Sequence, residues 1–456
     1  MNGSAAVPRW RIGLVLASLC CCTIQARAGS PCYRPPMPPS ARSSPSSTRP
    51  FSVNGRTYNP PPKPVAVICI DGCGDEYLST SIVHGRMPHV ARMAQVGYRG
   101  FVRGALPSFT NVNNAAIVTG LPPSQTGIGG NYFLDPDTGE EVMMNSSRYL
   151  RAETILAAAA NAGRKVAMVT AKDKLREILS HNMKGIGFSA EKANQTTMAV
   201  HGIEKVEELV GWPTPKIYSA EASLFALRAG ACLAEQGLAD FLYLSLTDYM
   251  QHTYAPEAPE SLDFYAGIDA EIGRLLELGA VVAATADHGM NAKTKADGSP
   301  NVLFLETLLT QKYGPGARVI CPITDPYVVH HGALGSAVTI YLPRQWNVSE
   351  VARWLLAMPG IAEVYDRELA ALKLELPADR IGDLFVLSAR DVVVGRTPEQ
   401  HDLSALHGTL RSHGGRYEEM VPMLLSGPLT PEYRMRAAGD PRNFDIFDFA
   451  INGVVR

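Results

Sequence analysis

The sequence lacks an excess of charge of either sign. Lys and Arg number 42 and Asp and Glu number 44, so the formal net charge is −2. Proteins that hold nucleic acid or an anionic membrane on a broad basic surface carry a clear positive excess. We therefore expect no nucleic-acid partner and no membrane partner. A small anionic substrate would have to be met by local cations or metal ions.

Cysteines spaced as zinc-finger ligands are also missing. Of the eight cysteines, Cys20, Cys21 and Cys22 are adjacent in an apolar run, and no matching Cys or His pair follows Cys69 and Cys73. The others are Cys32, Cys232 and Cys321. Since no ligand pattern is present, we interpret the cysteines as reduced, buried thiols.

Long apolar runs are scarce, and none after residue 65 is long enough to cross a bilayer. One short run, Ile12 to Ile24, follows two arginines and precedes Ala26-Arg27-Ala28. Residues 1–28 therefore have the form of a secretory signal peptide. The alternative is an extension upstream of the functional start, without any role in export. Residues 29–64 are crowded with Pro and Ser and predict a disordered linker, so the fold is expected to begin near Val65.

From residue 65 onwards, apolar β-branched runs alternate with amphipathic segments. The runs predict strands at 65–71, 165–171, 240–246, 280–286 and 421–427, and the amphipathic segments predict helices at 153–163, 221–237 and 261–279. Continuous apolar strands that alternate with helices are typical of an α/β fold, in which a parallel sheet is covered by helices on both faces.

The alternation changes between residues 291 and 407. Strands are predicted there near 336–343 and 361–395, with a helix at 349–360 between them. We interpret residues 291–407 as a smaller inserted α+β cap lobe. Residues 65–290 and 408–456 then form the catalytic core.

Carboxylates and imidazoles stand at the ends of the predicted strands. They are Asp71, Asp248, His252, Asp287, His288 and His413. Ligands of open α/β sheets bind at the carboxyl ends of the strands, and zinc accepts His nitrogen and carboxylate oxygen. Each residue alone is better explained as a cap, turn or loop residue. Together, at one edge of a sheet, they indicate a metal site.

A threonine with unusual neighbours begins another predicted helix, in "LPSFTNVNNAAIVTG" (106–120). Thr110 is followed by Asn111, Asn113 and Asn114 within the first turn. Thr110 is either an N-cap, which satisfies free backbone N–H groups, or a reactive hydroxyl at a helix end that favours negative charge. The local sequence leaves both interpretations open.

Five motifs in order, "IDGCG", "PSFTNVNNAAIVTG", "SLTDYMQHTY", "ADHGM" and "HGTLRSHGG", resemble those of the alkaline phosphatase superfamily, and within it the phosphonoacetate hydrolases. The resemblance runs from about residue 52 to the end of the chain. It implies an alkaline-phosphatase-like fold and two Zn²⁺ ions per subunit. One zinc would be held by Asp71, Asp287, His288 and Thr110, and the other by Asp248, His252 and His413.

The same resemblance implies an activity and a substrate site. The activity is hydrolysis of the carbon–phosphorus bond of phosphonoacetate, to acetate and phosphate, through a phosphothreonine formed on Thr110. Lys172 and Lys174 in "TAKDKL" would bind the substrate carboxylate, since residues two apart in an extended segment point the same way. Asn131 in "GIGGNYF" would donate to a phosphoryl oxygen. Judged alone, the lysine pair is typical of a solvated helix start, and Asn131 is typical of a turn.

Two other functions stay open at this point. A phosphodiesterase or nucleotide pyrophosphatase of the same superfamily would use the same metals and Thr110, but would want an aromatic clamp for the base. A non-catalytic binding or export protein would use the strand-end residues for structure alone. We expect a small-molecule phosphonate as partner and leave a homodimer open. The family implies a cytoplasmic location, whereas a genuine signal peptide would imply a periplasmic or secreted one.

Overall fold

The computed structural model describes Cys32 and residues 46–456, apart from residues 329–330 and 407. The predicted signal segment 1–28 lies outside the described residues, as do His330 and most of residues 29–45. In the part of the chain that is described, no helix has both the length and the apolar character needed to span a membrane.

The strands, in chain order, are β1 (Phe51–Val53), β2 (Arg56–Tyr58), β3 (Val65–Cys69), β4 (Tyr98–Arg103), β5 (Tyr132–Leu134), β6 (Glu141–Met143), β7 (Val166–Thr170), β8 (Ile186–Ser189), β9 (Phe241–Ser245), β10 (Val281–Thr285), β11 (Asn291–Ala292), β12 (Val302–Phe304), β13 (Arg318–Ile320), β14 (Ala337–Tyr341), β15 (Ile361–Asp366), β16 (Leu384–Ser388), β17 (Val393–Gly395), β18 (Arg411–Ser412) and β19 (Met420–Leu425).

The α-helices are α1 (Asp75–Val83), α2 (Pro88–Val96), α3 (Thr110–Thr119), α4 (Pro123–Thr126), α5 (Ile155–Asn161), α6 (Asp173–Leu179), α7 (Met198–His201), α8 (Val206–Val210), α9 (Ala220–Glu235), α10 (Tyr249–Thr253), α11 (Pro259–Glu277), α12 (Leu305–Tyr313), α13 (Val348–Leu356), α14 (Arg367–Lys373), α15 (Pro431–Ala437) and α16 (Ile446–Asp448).

Seven strands form the main sheet, in the order β4-β19-β10-β3-β9-β7-β8. From β10 to β8, all neighbouring strands are parallel. The central strands β3, β7 and β9 are buried along their whole length, because helices cover both faces of the sheet. This confirms the predicted α/β fold and places the carboxyl ends of β9, β3 and β10 side by side.

The strand predicted at 421–427 has the opposite direction from the one expected in a parallel sheet. β19 is antiparallel to both of its neighbours, β10 and β4. Its first residue therefore lies at the edge where the parallel strands end. That reversal explains how His413, which precedes β19, reaches the same edge as residues that follow their strands.

Helices lie on both faces of the main sheet, as two successive residues of β9 show. Tyr243 faces α16 and α3: its ring centroid lies 5.9 Å from that of Phe447, and its hydroxyl lies 2.8 Å from Oδ1 of Asn114. Leu244 points to the other face, where it packs so closely on Gly230 of α9 that a Cβ there would lie 2.6 Å from its methyl groups. The sheet is thus the middle layer of three.

A second, fully antiparallel sheet lies between β10 and β19 in the chain. Its order is β13-β14-β16-β15, and the loop between β13 and β14 reaches the candidate site described below. Two-stranded pairs join this region to the core: β11 pairs with β18. The boundaries 291–407 of the inserted lobe stay a prediction.

The prediction of a linker up to residue 64 is wrong for residues 51–58. These form the hairpin β1–β2, in which Phe51 and Tyr58 stack with centroids 5.2 Å apart. Phe51 also contacts Phe241 at the start of β9, at 6.4 Å. The two aromatic rings bury the hairpin against the core, an energy gain that composition in Pro and Ser does not reveal.

The interpretation of the cysteines as reduced thiols is wrong for two of them. Cys32 and Cys232 form a disulfide that joins positions 200 residues apart, with a Cα–Cα distance of 5.7 Å. Cys69, Cys73 and Cys321 are free and buried, as predicted, and residues 20–22 lie outside the described part. No local spacing of cysteines indicates this disulfide, because Cys232 lies in α9, 200 residues from Cys32 in the sequence.

Replacing Cys232 with Ser is expected to lower stability by roughly 2–5 kcal/mol, because the unfolded chain loses a long-range constraint. The measurement is thermal unfolding of the wild type and the variant, each with and without a thiol reductant. Reductant should lower the melting temperature of the wild type to that of Cys232→Ser and leave the variant unchanged. A wild type whose melting temperature ignores the reductant would contradict the disulfide.

Candidate active site

Six predicted metal ligands converge at the carboxyl edge of the main sheet. Asp71 follows β3, Asp248 precedes α10 after β9, and Asp287 and His288 follow β10. His252 lies in α10 and His413 between β18 and β19. Each of the six side chains is at least 96% buried. Buried ionisable groups need partners of opposite charge or a metal ion, so their gathering requires an explanation.

One cluster contains Asp248, His252 and His413, whose ligand atoms lie within 4.8 Å of one another. Asp248 Oδ2 is 3.1 Å from His252 Nε2 and 3.7 Å from His413 Nε2. The i and i+4 spacing of Asp248 and His252 across α10 places both side chains on one face of the turn, as the sequence indicated.

A second cluster contains Asp71, Asp248 and His288, so the two clusters share Asp248. Asp71 Oδ1 lies 3.2 Å from His288 Nε2. Apart from this contact, neither atom has a hydrogen-bond partner among the described residues. Two buried atoms that face each other and lack other hydrogen-bond partners could both be ligands of a bound cation. Carboxylate oxygen and imidazole nitrogen are ligands that zinc accepts.

The three histidines are oriented alike by backbone carbonyls. Nδ1 of His252 contacts the carbonyl of Arg411 at 2.8 Å, and Nδ1 of His288 contacts that of Gly289 at 2.9 Å. Nδ1 of His413 contacts the carbonyl of Ser108 at 2.8 Å. A carbonyl oxygen accepts, so Nδ1 carries a proton in each ring, and Nε2 is the atom that faces the carboxylates. Metal-binding histidines are held in this way.

Asp287 lies in the same pocket but is held differently. Its Oδ1 accepts hydrogen bonds from the N–H groups of Gly72 and His288, at 3.2 and 3.1 Å. Its Oδ2 accepts from Asn114 Nδ2 at 3.1 Å and lies 3.8 Å from His288 Nε2. It thus stands beside the second cluster rather than within it, and its assignment to a zinc ion stays a prediction.

Gly72 lets the turn after β3, which carries Asp71, lie close to the residues that follow β9. Its φ of +70° favours glycine, and a Cβ there would lie 3.0 Å from Cβ of Asp248 and 3.2 Å from Cβ of Gln251. Only a residue without a side chain allows this approach. The "DG" of the first motif therefore helps to bring two carboxylates from adjacent strands together.

Thr110 is the first residue of α3, and Phe109 occupies the N-cap position. The interpretation of Thr110 as an N-cap is therefore not supported. The residues before it contact one cluster: the Phe109 ring lies 5.6 Å from that of His413. Asn114, one turn on, donates to the carbonyl of Thr110 and to Asp287, both at 3.1 Å. Thr110 itself is buried to 98%, and residues on either side of it in the chain contact His413 and Asp287, one from each group of predicted ligands.

The asparagines around Thr110 hold surrounding loops in place. Asn111 donates through its side chain to the carbonyl of Met144 at 2.7 Å. Asn113 holds the backbone of Ala105 from both sides, with distances of 2.7 and 3.0 Å. Asn113 has both ends of its buried amide bonded, whereas Asn111 uses only its N–H₂ group. Such buried bonds make the turn rigid, which accounts for the amides that the sequence concentrates there.

Lys172 and Lys174 form ion pairs with different carboxylates. α6 begins at Asp173, so the two lysines straddle a helix start rather than lie in an extended segment. Lys172 Nζ donates to Asp71 Oδ2 at 2.8 Å and to Asp248 Oδ1 at 2.7 Å. Lys174 Nζ forms an ion pair with Asp325. Lys172 is therefore part of the carboxylate cluster, while Lys174 faces the second sheet.

Asn131 lies next to α3, the helix that begins at Thr110. Its Oδ1 accepts the backbone N–H of Asn111 at 3.0 Å, and its Nδ2 donates to Asp325 at 3.3 Å. It is buried to 98%. The predicted substrate residues Asn131 and Lys174 are thus brought together by a carboxylate that the sequence did not single out.

The protonation states follow from burial and from neighbouring charges. Burial and a neighbouring carboxylate raise the pKa of Asp287 to about 7. Burial alone would raise the pKa of Asp248, but the Lys172 ammonium lowers it well below its usual range. Burial and the stacked His288 ring, 3.5 Å away, lower the pKa of His413 well below its usual range. The His413 imidazole is therefore neutral at pH 7, the form that binds metals.

Three residues that the sequence did not single out border the site, together with His331 of the sequence pair His330-His331. Asp325, Tyr327 and His331 come from the loop after β13, and Tyr218 precedes α9. The His331 ring stacks on that of His252, with centroids 4.3 Å apart. Tyr218 and Tyr327 lie 5.8 Å apart. No spacing or motif links these positions to the strand ends, so only the fold reveals them.

The chain is similar to one protein family and to several solved structures. A family model described as type I phosphodiesterase / nucleotide pyrophosphatase matches residues 65–416. Two crystal structures of phosphonoacetate hydrolase from Sinorhizobium meliloti 1021 are similar over 90% of this chain and 100% of that chain, each at 45% identity. One is a complex with phosphonoformate, with a TM-score of 0.86, and the other is a complex with phosphonoacetate, with a TM-score of 0.85.

A more distant structure shares the fold. Murine ectonucleotide pyrophosphatase / phosphodiesterase 5 is 17% identical, with a TM-score of 0.56 over 85% of this chain and 94% of that chain. At this identity the similarity concerns the architecture alone.

Proposed function

The chain belongs to the phosphonoacetate hydrolases of the alkaline phosphatase superfamily, and from this premise we propose that it hydrolyses phosphonoacetate to acetate and phosphate through a phosphothreonine on Thr110. The observation that carries the proposal is the convergence of buried carboxylate and imidazole side chains in two candidate metal-binding groups that share Asp248. The helix that begins with the buried Thr110 contacts Asp287 through Asn114. A binding protein has no need of a hydroxyl in that position.

We assign the cofactor as two zinc ions. Asp248, His252 and His413 would hold one, and Asp71, Asp287 and His288, with Thr110, would hold the other. When bound, such ions lower the pKa of a hydroxyl and neutralise charge on a phosphoryl group. The protein supplies the oriented Nε2 atoms and the buried carboxylates.

The residues of the chain account for the remaining chemistry. The Thr110 hydroxyl, at a helix start that favours negative charge, loses its proton to solvent. Its oxygen attacks phosphorus, and the bond to carbon breaks. The electron pair moves onto the substrate carboxylate as an enediolate, which takes a proton to give acetate. Water then attacks the phosphothreonine, releases phosphate and restores the hydroxyl. Lys174 supplies positive charge for the carboxylate that receives the electron pair.

The tyrosines beside the site argue against a nucleotide base clamp. Tyr218 and Tyr327 lie 5.8 Å apart with their planes inclined by 49°, too close and too inclined to hold a base between them. Tyr218 also contacts Tyr249 edge-on at 5.4 Å. The pocket therefore suits a small substrate better than a nucleotide.

The decisive assay compares phosphate release from phosphonoacetate with hydrolysis of bis(4-nitrophenyl) phosphate. We expect kcat/KM for phosphonoacetate to exceed that for the diester by at least roughly 100-fold, because only the former presents a carboxylate to Lys174. The zinc-loaded wild type is the sample, and the Thr110→Ala variant is the blank for both substrates. A preference for the diester would instead support the phosphodiesterase alternative.

A further inference from the structure

One acidic side chain from the second sheet reaches into the site of the core. Asp325 lies in the loop between β13 and β14 and is 94% buried. Its Oδ1 accepts the backbone N–H of Tyr327 at 2.8 Å, which fixes the direction of the carboxylate. Its Oδ2 is left to face the core, where it meets two side chains.

Both of these side chains belong to the proposed substrate site. Oδ2 of Asp325 accepts from Asn131 Nδ2 at 3.3 Å and forms an ion pair with the Lys174 ammonium. Asn131 in turn accepts the N–H of Asn111, the residue after Thr110, at 3.0 Å. One carboxylate oxygen therefore connects the cation on α6 to the first turn of α3.

We propose that Asp325 is a positioning residue that sets substrate specificity, by fixing the Lys174 ammonium relative to Asn131. The inference rests on the proposed function and extends it to a residue that does not itself react. Asp325 carries negative charge and cannot attract an anionic substrate. Its effect on binding must therefore act through the groups it holds.

The physical basis is the flexibility of lysine. A lysine carries its charge on four methylene groups with many rotamers, and an unpaired ammonium in a buried site turns towards whatever partner it finds. Lys174 lies 5.6 Å from the Tyr327 ring, on the same loop as Asp325. With Asp325 in place, the ammonium has one position, and the spacing between the carboxylate-binding and phosphoryl-binding groups is fixed.

Fixed spacing selects for substrates by the distance between carboxylate and phosphorus. Phosphonoacetate has a single carbon between the two groups. Inorganic phosphate has no carboxylate and makes no use of Lys174. The two anions therefore separate an effect on Lys174 from an effect on the phosphoryl site.

The test is the Asp325→Ala variant, assayed for kcat and KM with phosphonoacetate and for competitive inhibition by inorganic phosphate. We expect KM for phosphonoacetate to rise about 10- to 100-fold, as for other residues that orient a binding group. The inhibition constant of phosphate should change far less, because Asn131 loses one partner but keeps its hydrogen bond to the N–H of Asn111. Asp325→Asn keeps an oxygen acceptor for Lys174 and should restore most of the loss in KM.

The control is Asp379→Ala, which removes another pairing between the same two regions of the chain. Asp379 pairs with Arg151, with Nη1 and Oδ1 3.1 Å apart, and both residues are exposed. It should leave both constants at wild-type values. Equal changes in phosphonoacetate KM and phosphate inhibition in Asp325→Ala would mean a general structural role and overturn the proposal, as would no change in either.

Failure of the proposed function gives a different result. In that case the zinc-loaded wild type releases no phosphate from phosphonoacetate, before any variant is considered. If the wild type is active and Asp325→Ala has the same KM for phosphonoacetate, the proposed function is supported and the proposed role of Asp325 is wrong.

Discussion

Replacing Thr110 with alanine is expected to reduce kcat for phosphonoacetate by roughly 10³-fold or more, the scale seen when a nucleophile is removed. The reason is that Thr110 carries the one side-chain hydroxyl in the first turn of α3, TNVN, and the proposed phosphothreonine forms there. The change removes few atoms from a helix position whose backbone bonds are unaffected. The fold and the zinc content should therefore stay close to those of the wild type, as measured by circular dichroism and elemental analysis.

Two variants make this result interpretable. Thr119→Ala removes a hydroxyl from the other end of the same helix, where Oγ1 bonds only to backbone carbonyls, at 2.8 and 3.3 Å. It should keep full turnover. Thr110→Ser retains an alcohol and should keep a measurable fraction of the activity. If Thr110→Ala turns over phosphonoacetate at the wild-type rate, the phosphothreonine mechanism is wrong.

The elements that carry the predicted ligands were accessible from the sequence, because each is a buried parallel strand. β3, β9 and β10 are continuous apolar runs, and such runs have few alternatives in an α/β protein. Asp71 and Asp248 follow two of them within three residues. Their position at one edge then follows from strand direction alone. Helix and strand periodicity thus placed most of the carboxylates without knowledge of tertiary contacts.

The direction of β19 was not accessible, since an apolar run reads the same in both directions. The strand is antiparallel to β10, and this reversal is what brings His413 to the site. β18 pairs with β11, which places His413 against His288, with ring centroids 3.5 Å apart. Only the pairing of strands distant in sequence determines this contact.

The partners of the lysines illustrate a different limit. The sequence showed two lysines two residues apart, but the helix start between them sends Lys172 to Asp71 and Asp248, and Lys174 to Asp325. A boundary error of one or two residues reverses the direction of a side chain. The sequence therefore predicts that the site contains positively charged side chains, but it does not predict which carboxylates they contact.

Asp248 is the residue on which both clusters depend, and its replacement by asparagine is expected to have the second large effect. Oδ2 faces His252 and His413, at 3.1 and 3.7 Å, and Oδ1 accepts from Lys172 at 2.7 Å. Asparagine has the same shape but no charge, and its amide N–H₂ cannot bind a metal ion. We expect Asp248→Asn to retain fewer zinc ions than the wild type and to lose roughly 10³-fold or more in kcat/KM.

Zinc per chain, measured by inductively coupled plasma mass spectrometry after dialysis, checks this expectation directly. The matched control is Asp269→Asn, which changes another buried aspartate whose oxygens accept from the N–H groups of His89 and Val90, at 3.1 and 2.8 Å. Asp269 caps α2 far from the clusters, so this variant should keep its zinc and its turnover even if it melts at a lower temperature. Because Asp248 alone joins the two clusters, an Asp248→Asn protein with wild-type zinc content would show that the carboxylates and imidazoles gather there for a reason other than binding metal.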